Sequence, residues 1–317
     1  VRIIFAGTPE PAVPTLRALI ASHHDVVAVV TRPPARSGRG RTLKPSPVAL
    51  IATQAQIPLI ETSTLKDPEI HQRIAAAGPD LGIVVAYGAL VPADVLDMPQ
   101  HGWINLHFSD LPKYRGAAPV QRAILNGEVT TASSVFQLET GLDTGPVFSR
   151  LPVDIGHMTS GELLDAMAVT GAQQIIEVVD AIEEGTACAH AQVMPEDTVV
   201  PLAPRLSSAD GVISFDEDAA AVDQRIRAVT PNPGAYTTMP NGKRLKLESG
   251  EVVEHPDVTG APGTLHISKR EVLVSCREGA FRLRRVAPEG KGWMDAAAWA
   301  RGARLDEDAR LGHWQGE

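Results

Sequence analysis

The chain has 317 residues, of which 44% are hydrophobic and 21% charged, with a net charge of −9; this suits two domains of ordinary size, each with its own core. Aromatics are only 4%, so aliphatic side chains must do most of the packing, and no apolar run approaches the roughly 20 residues of a membrane span. Cys188 and Cys276 lie far apart and suggest neither a disulfide framework nor a zinc site, and Val1–Gly7 reaches a Gly-Thr-Pro turn too soon for a signal peptide, so a cytoplasmic enzyme is the expectation.

In chain order, Arg2 to Phe5 reads as a strand ending in Ala6-Gly7-Thr8-Pro9, followed by a helix with Leu16, Leu19 and Ile20 at helical spacing. Val26 to Thr31 is the next strand. Between Thr31 and Ile60 there is no acid, while Arg32, Arg36, Arg39, Arg41 and Lys44 are basic. Ser37-Gly38-Arg39-Gly40-Arg41 is a glycine-loosened loop whose arginines suit phosphates and base edges; a plain solvent loop is the alternative. Leu81 to Ala86, Ile104 to Phe108 and Ser134 to Leu138 supply further strands. Continuous apolar strands alternating with helices indicate an α/β class with a mostly parallel sheet, which binds ligands beyond the carboxyl ends of its strands. Ala117–Gly127 carries Pro near a helix start and Gly at its end. Gly161 to Glu184 reads as a long amphipathic helix with Leu163, Leu164, Met167, Ile175, Val178, Val179 and Ile182 on one stripe.

After Gly185 the texture changes, and the prolines between residues 186 and 210 suggest a linker. A short helix, Val222 to Val229, precedes strand candidates at Lys243 to Leu247, Gly263 to Ile267, Val272 to Ser275 and Phe281 to Val286, the pattern of a small β-barrel. The expected organisation is a catalytic domain over 1–187 with an inserted basic loop at 32–45, a linker at 188–207 and a smaller barrel domain over 208–317. The C-terminal part is rich in Lys and Arg from Lys243 to Lys291, either an ordinary solvated surface or a local field able to steer a polyanion despite the negative total. With no strong interface stripe, a monomer is expected.

Chemistry concentrates in Ile104-Asn105-Leu106-His107 and Gly141-Leu142-Asp143-Thr144-Gly145. Asn105 and His107 are two apart, so in a strand both point to one face. An amide beside an imidazole can hold an oxyanion next to a proton carrier, and a carboxylate can orient and charge the imidazole. For Asp143 a turn-forming role is the alternative. No G-x-G-x-x-G follows the first strand, so a dinucleotide site is poorly supported.

These residues resemble the methionyl-tRNA formyltransferase family. The resemblance is carried by Phe5-Ala6-Gly7-Thr8-Pro9, Gly38-Arg39-Gly40, Lys44-Pro45-Ser46-Pro47, Val85-Ala86-Tyr87-Gly88, Asn105-Leu106-His107, the run from Leu111 to Gln121 and Gly141 to Gly145, and continues through Ala203 to Ser207 and Ala261 to Thr264. It implies a Rossmann-like N-terminal domain and an OB-like β-barrel C-terminal domain that faces tRNA. It implies transfer of a formyl group from 10-formyltetrahydrofolate to the α-amine of methionine on initiator Met-tRNA; no metal is expected, because the formyl donor is already activated and no ligand cluster is visible in the sequence. Asn105, His107 and Asp143 would then be catalytic, with Ser109, Asp110, Leu111, Pro112, Tyr87 and Gly88 at the folate and Arg36, Arg39, Arg41 and Lys44 at the tRNA acceptor stem. Asp110 stands where the family commonly has an apolar residue. A formyltransferase for a nucleotide or sugar amine would share the Asn/His/Asp set, but a small acceptor needs neither the arginine loop nor a basic second domain.

Overall fold

The computed structural model describes residues 1–37, 42–193, 199–254, 258–306 and 308–312. In the first part of the chain the strands are β1 (Arg2–Gly7), β2 (Asp25–Thr31), β3 (Ala35–Ser37), β4 (Thr42–Lys44), β5 (Leu59–Glu61), β6 (Leu81–Val85), β7 (Trp103–His107), β8 (Arg115–Gly116), β9 (Thr130–Gln137), β10 (Val147–Asp154) and β11 (Leu202–Ala203). The helices are α1 (Val13–Ala21), α2 (Pro47–Gln54), α3 (Pro68–Ala77), α4 (Ala93–Leu96), α5 (Pro119–Leu125) and α6 (Ser160–Glu183). The chain divides into two compact units, Val1–Pro119 with Thr130–Asp154 and Leu164–Pro204, and Val120–Val129 with Ile155–Leu163 and Arg205–Glu317.

The first unit holds a seven-stranded sheet in the order β10-β9-β7-β6-β1-β2-β5. The five strands from β7 to β5 run parallel, as their near-continuous apolar character predicts. The edge formed by β9 and β10 is antiparallel. Strand order reverses direction at β1, which sets the carboxyl ends of β1, β6 and β7 side by side and opens a crevice beyond them. Gly82 in β6 is required by packing: a Cβ there would lie 2.0 Å from the fully buried Trp103 ring of β7. In α1, Leu16 and Leu19 are buried as the spacing predicts, whereas Ile20 is 37% exposed. The long helix α6 docks through Gln174, whose amide accepts from Ser133 Oγ (2.7 Å) and donates to Ser149 Oγ (3.1 Å). That pairing explains how the Ser- and Thr-rich β9 can be buried at low cost.

The inserted basic segment is more ordered at its base than a glycine-rich loop suggests. Ala35 to Ser37 pairs antiparallel with Thr42 to Lys44 as a short hairpin. Its downstream end is fastened by Ser46, which caps α2 by accepting from Ala49 N (3.0 Å) and shares a 2.7 Å hydrogen bond with Thr31 at the end of β2. With Pro47 opening α2, this gives the Lys-Pro-Ser-Pro motif a structural meaning.

The second unit carries α7 (Ala219–Val229), then β12 (Ala235–Thr238), β13 (Arg244–Val253), β14 (Leu265–Ile267), β15 (Val272–Ser275), β16 (Ala280–Pro288), β17 (Met294–Asp295) and α8 (Ala296–Gly302). Its strands form a separate antiparallel sheet, ordered β12-β13-β16-β15-β14 with β17 on β16. Phe215, Val222, Ile226, Leu245, Leu247, Phe281, Val286 and Trp299 fill its core. Among the described residues, no helix is long and apolar enough to cross a membrane.

The two cysteines lie in different environments. Cys188 is exposed, whereas Cys276 is buried, and burial, aided by the Asp218 charge, pushes its thiol up to about 12. The thiolate is the nucleophile, so at pH 8 iodoacetamide is expected to alkylate Cys188 and spare Cys276 until the protein unfolds. Equal labelling rates by mass spectrometry would contradict this assignment.

Candidate functional site

Asn105 and His107 share one face at the carboxyl end of β7, as the two-residue spacing predicts, with Asn105 flanked by Val84 of β6 and Phe136 of β9. His107 is 7% exposed. Its Nε2 lies 3.0 Å from the carbonyl oxygen of Tyr114. A carbonyl only accepts, so Nε2 carries a proton and Nδ1 is the nitrogen left for chemistry. Nδ1 faces Asp143 Oδ2 at 3.9 Å. This is too long for a hydrogen bond but close for a charge.

Asp143 is held by its surroundings. Its Oδ2 accepts from Gly116 N at 2.8 Å, and its backbone sits in the left-handed region at φ +50°. Aspartate tolerates that conformation better than most residues. Gly145 is required because a Cβ there would lie 1.8 Å from the carbonyl of Gln137, so the turn folds tightly against the end of β9.

Sequence reading missed the residue that fastens this turn. Gln192 lies in the stretch read as a linker, and its Nε2 donates to the carbonyls of Asp143 and Gly145, both at 2.8 Å. Its Oε1 accepts from Arg115 Nη2 at 2.7 Å. Farther along that stretch, β11 pairs with β8, and Ala203 O accepts from Ala117 N and Ala118 N. Proline-rich composition conceals these contacts, since it registers only the lack of regular structure. Replacement of Gln192 by alanine is expected to lower kcat about 10- to 100-fold by loosening the Asp143 turn. An unchanged kcat would remove Gln192 from the positioning machinery.

Asn105 and Asp143 both line a cavity of about 250 Å³ at the carboxyl ends of β6 and β7. Its walls are mainly apolar: Val84, Leu90, Val91, Leu96, Leu138 and Leu142, with Lys66 and Glu139 at polar points. A mostly apolar pocket with a few convergent polar groups is the usual form of a small-molecule site.

The other expected folate residues lie differently. Tyr87 is 1% exposed and belongs to the core, its hydroxyl donating to Thr62 O. Burial also pushes its phenol above the ordinary range. Its side chain is therefore packing rather than a ligand contact. Gly88 is exposed at φ +81°. Ser109 and Leu111 are buried, Ser109 Oγ donating to Lys113 O and Leu111 packing with Phe136 and Val147. Asp110 is exposed and Pro112 half-buried, so these two carry the segment's accessible side-chain surface. The unusual Asp110 charge faces Arg150 Nε at 3.5 Å. None of Tyr87, Gly88 and Ser109–Pro112 is among the residues lining the cavity with Asn105. Arg36 and Lys44 are exposed on the hairpin, while Arg39 and Arg41 lie outside the described residues.

In the second unit, Arg277 pairs with Asp218, Arg282 with Glu251 and Glu271, Arg284 with Glu251 and Arg285 with Glu248. The carboxylates offset much of that part of the basic set. Arg244 and Lys246 alternate with buried Leu245 and Leu247 on β13 and so share an exposed face. The Arg244 guanidinium lies 4.4 Å from the Tyr236 ring centroid.

Comparison with known proteins places this arrangement in a family. Residues 1–179 match the family model described as Formyl transferase, and residues 205–304 match Formyl transferase, C-terminal domain. The methionyl-tRNA formyltransferase of Salinispora arenicola (strain CNS-205) is 48% identical over 306 residues, covering 96% of this chain and 97% of the relative. That of Thermobifida fusca (strain YX) is 46% identical over 313 residues, covering 98% and 99%. Among solved structures, the sugar 3N-formyl transferase WlaRD superposes with a TM-score of 0.66 at 16% identity, over 92% of this chain and 99% of its own. A HypX variant from Aquifex aeolicus gives 0.65 at 16% identity, over 97% of this chain and 48% of that longer one. The structural neighbours share the fold, and the relatives near 48% identity span both domains at nearly full length; the chain belongs to the methionyl-tRNA formyltransferase family.

Proposed function

We propose that the chain transfers the formyl group of 10-formyltetrahydrofolate to the α-amine of methionine on initiator methionyl-tRNA, at a centre formed by Asn105, His107 and Asp143. The observation that carries this reading is the convergence of Asn105 and Asp143 on one apolar cavity, with Nδ1 of His107 facing the Asp143 carboxylate. The cavity's apolar walls suit a flat pterin ring. The neutral amine attacks the formyl carbon, and the carbonyl oxygen becomes an oxyanion stabilised by the Asn105 amide. As the C–N10 bond breaks, His107 Nδ1 takes a proton from the attacking nitrogen and delivers one to N10, while the Nε2–H bond to Tyr114 O keeps the ring oriented. The Asp143 charge favours the proton-bearing ring at the midpoint of that transfer. Asp110 and Pro112 border the folate where their surface is accessible.

The tRNA contact is assigned to the hairpin residues Arg36 and Lys44 together with Arg39 and Arg41, and to Arg244 and Lys246 in the C-terminal domain. The catalytic domain is placed at 1–187 and the tRNA-binding domain at 208–317. Alanine at Arg36 or Lys44 is expected to raise KM for Met-tRNA and leave folate binding intact. Each lost phosphate contact should also reduce the salt dependence of tRNA binding by about one in log–log slope. Unchanged KM and salt slope would exclude the hairpin from recognition.

The deciding experiment offers the protein 10-formyltetrahydrofolate with initiator Met-tRNA, elongator Met-tRNA or free methionine. Rapid formylation of the initiator alone is the expected result. Consumption of the folate without a formylated tRNA would point instead to a small-amine transferase or a hydrolase.

A further inference from the structure

The opposite rim of the sheet carries a second cluster that formyl transfer does not use. His23 and His24 lie in the turn that leads into β2, at the amino ends of the parallel strands, whereas the reaction centre lies beyond the carboxyl ends. Folding brings them against Asp180 and Glu183 in the last turn of α6. His23 Nε2 lies 2.8 Å from Glu183 Oε2, and His24 Nε2 lies 2.9 Å from Asp180 Oδ1. The His24 side chain is fully buried, and its Nδ1 is a buried nitrogen without a hydrogen-bond partner, aimed toward Glu183 Oε1 at 3.9 Å. One ligand atom each from His23, His24 and Glu183 falls within 4.8 Å of the others.

We propose that His23 Nε2, His24 Nδ1 and the Glu183 carboxylate form a binding site for a divalent cation of the zinc class, with solvent completing the coordination. In a tetrahedral zinc site with bonds near 2.0–2.1 Å, ligand atoms stand about 3.3 Å apart; the three ligand atoms here lie within 4.8 Å of one another, with His23 Nε2 2.8 Å from Glu183 Oε2, while Glu183 Oε1 accepts from the Val1 ammonium at 2.8 Å and a bound cation would displace that contact. Asp180 completes the arrangement from outside the ligand set. A carboxylate hydrogen-bonded to the second nitrogen of a ligating histidine fixes its tautomer and leaves the other nitrogen's lone pair for the metal. The site also lies at the carboxyl end of α6, where the helix dipole favours a cation. Two imidazoles and a carboxylate suit zinc, nickel or copper better than calcium or magnesium. A bound ion would tie α6 to the turn before β2.

The test uses full-length, metal-stripped protein in a Cys188→Ser background, so that the exposed thiol cannot capture the probe. Zn²⁺ is added as chloride, and binding is followed by calorimetry and thermal melting. One high-affinity Zn²⁺ and a rise in Tm of about 5 °C near one-hundredfold excess over Kd are expected. His23→Gln and Glu183→Gln change exposed side chains; each should weaken Zn²⁺ binding at least about 100-fold while formylation stays at the parental rate. Asp180→Asn should weaken it about 10- to 100-fold. Failure of the parent protein to take up Zn²⁺, or uptake unchanged in both glutamine variants, would overturn the site.

Discussion

Alanine at His107 is expected to lower kcat for formylation by about 100- to 10,000-fold, the range for loss of a positioned proton carrier, with little change in either KM. The reason is geometric. The Tyr114 carbonyl occupies Nε2, so only Nδ1 can exchange a proton with the reacting groups, and it faces the Asp143 carboxylate. Alanine at Asn105 removes an oxyanion donor and is expected to cost about 100- to 1000-fold. Its effect should fall on kcat, because the oxygen it holds becomes fully charged only in the transition state. Asn105 lines the cavity and its truncation leaves the sheet's hydrogen bonds in place, so its thermal melt should stay near the parental value, whereas His107→Ala also removes a buried ring and its bond to Tyr114 O and should melt somewhat lower while remaining folded. Turnover within a few-fold of the parent in either folded variant would remove that residue from the reaction centre.

How far the sequence reading reached follows from which forces leave a local signature. The parallel sheet was readable because both of its faces are covered, which demands long aliphatic runs such as Leu81 to Val85. The shared face of Asn105 and His107 was readable because strand alternation depends only on neighbours in the chain. The Asp143 turn showed itself through its glycines, of which Gly145 is demanded by a 1.8 Å backbone approach. Tyr87 stands in a family motif, and that its ring packs in the core is set by tertiary contacts the motif does not encode. Gln192 left no trace because it acts through single hydrogen bonds across 49 and 47 residues of chain. The β3–β4 hairpin escaped because strands of three residues have too little alternation to detect. The pairing of His23 and His24 with α6 spans about 160 positions and is a property of the tertiary fold alone.

Asparagine at Asp143 is the sharper second test, because it separates charge from conformation. Alanine would remove three things at once: the acceptor for Gly116 N–H, a side chain tolerant of φ +50°, and the negative charge. The conformational part alone costs roughly 1–2 kcal/mol for a residue with an ordinary Cβ. Asparagine retains the tolerance and still offers a carbonyl oxygen to Gly116, so the turn should keep its shape and its bonds to Gln192. What it loses is a unit charge 3.9 Å from His107 Nδ1, at a place where both side chains are largely buried, 8% and 14% exposed. At an effective dielectric of 20, such a pair interacts by about 4 kcal/mol. Only the fraction of that energy that grows as the ring gains its proton contributes to rate, so a fall in kcat on the order of 100-fold is expected for Asp143→Asn. If Asp143 served only to shape the turn, asparagine would be near parental and alanine alone would fail. Comparable losses in both variants, with the asparagine variant retaining the parental Tm, would identify the charge as the working element.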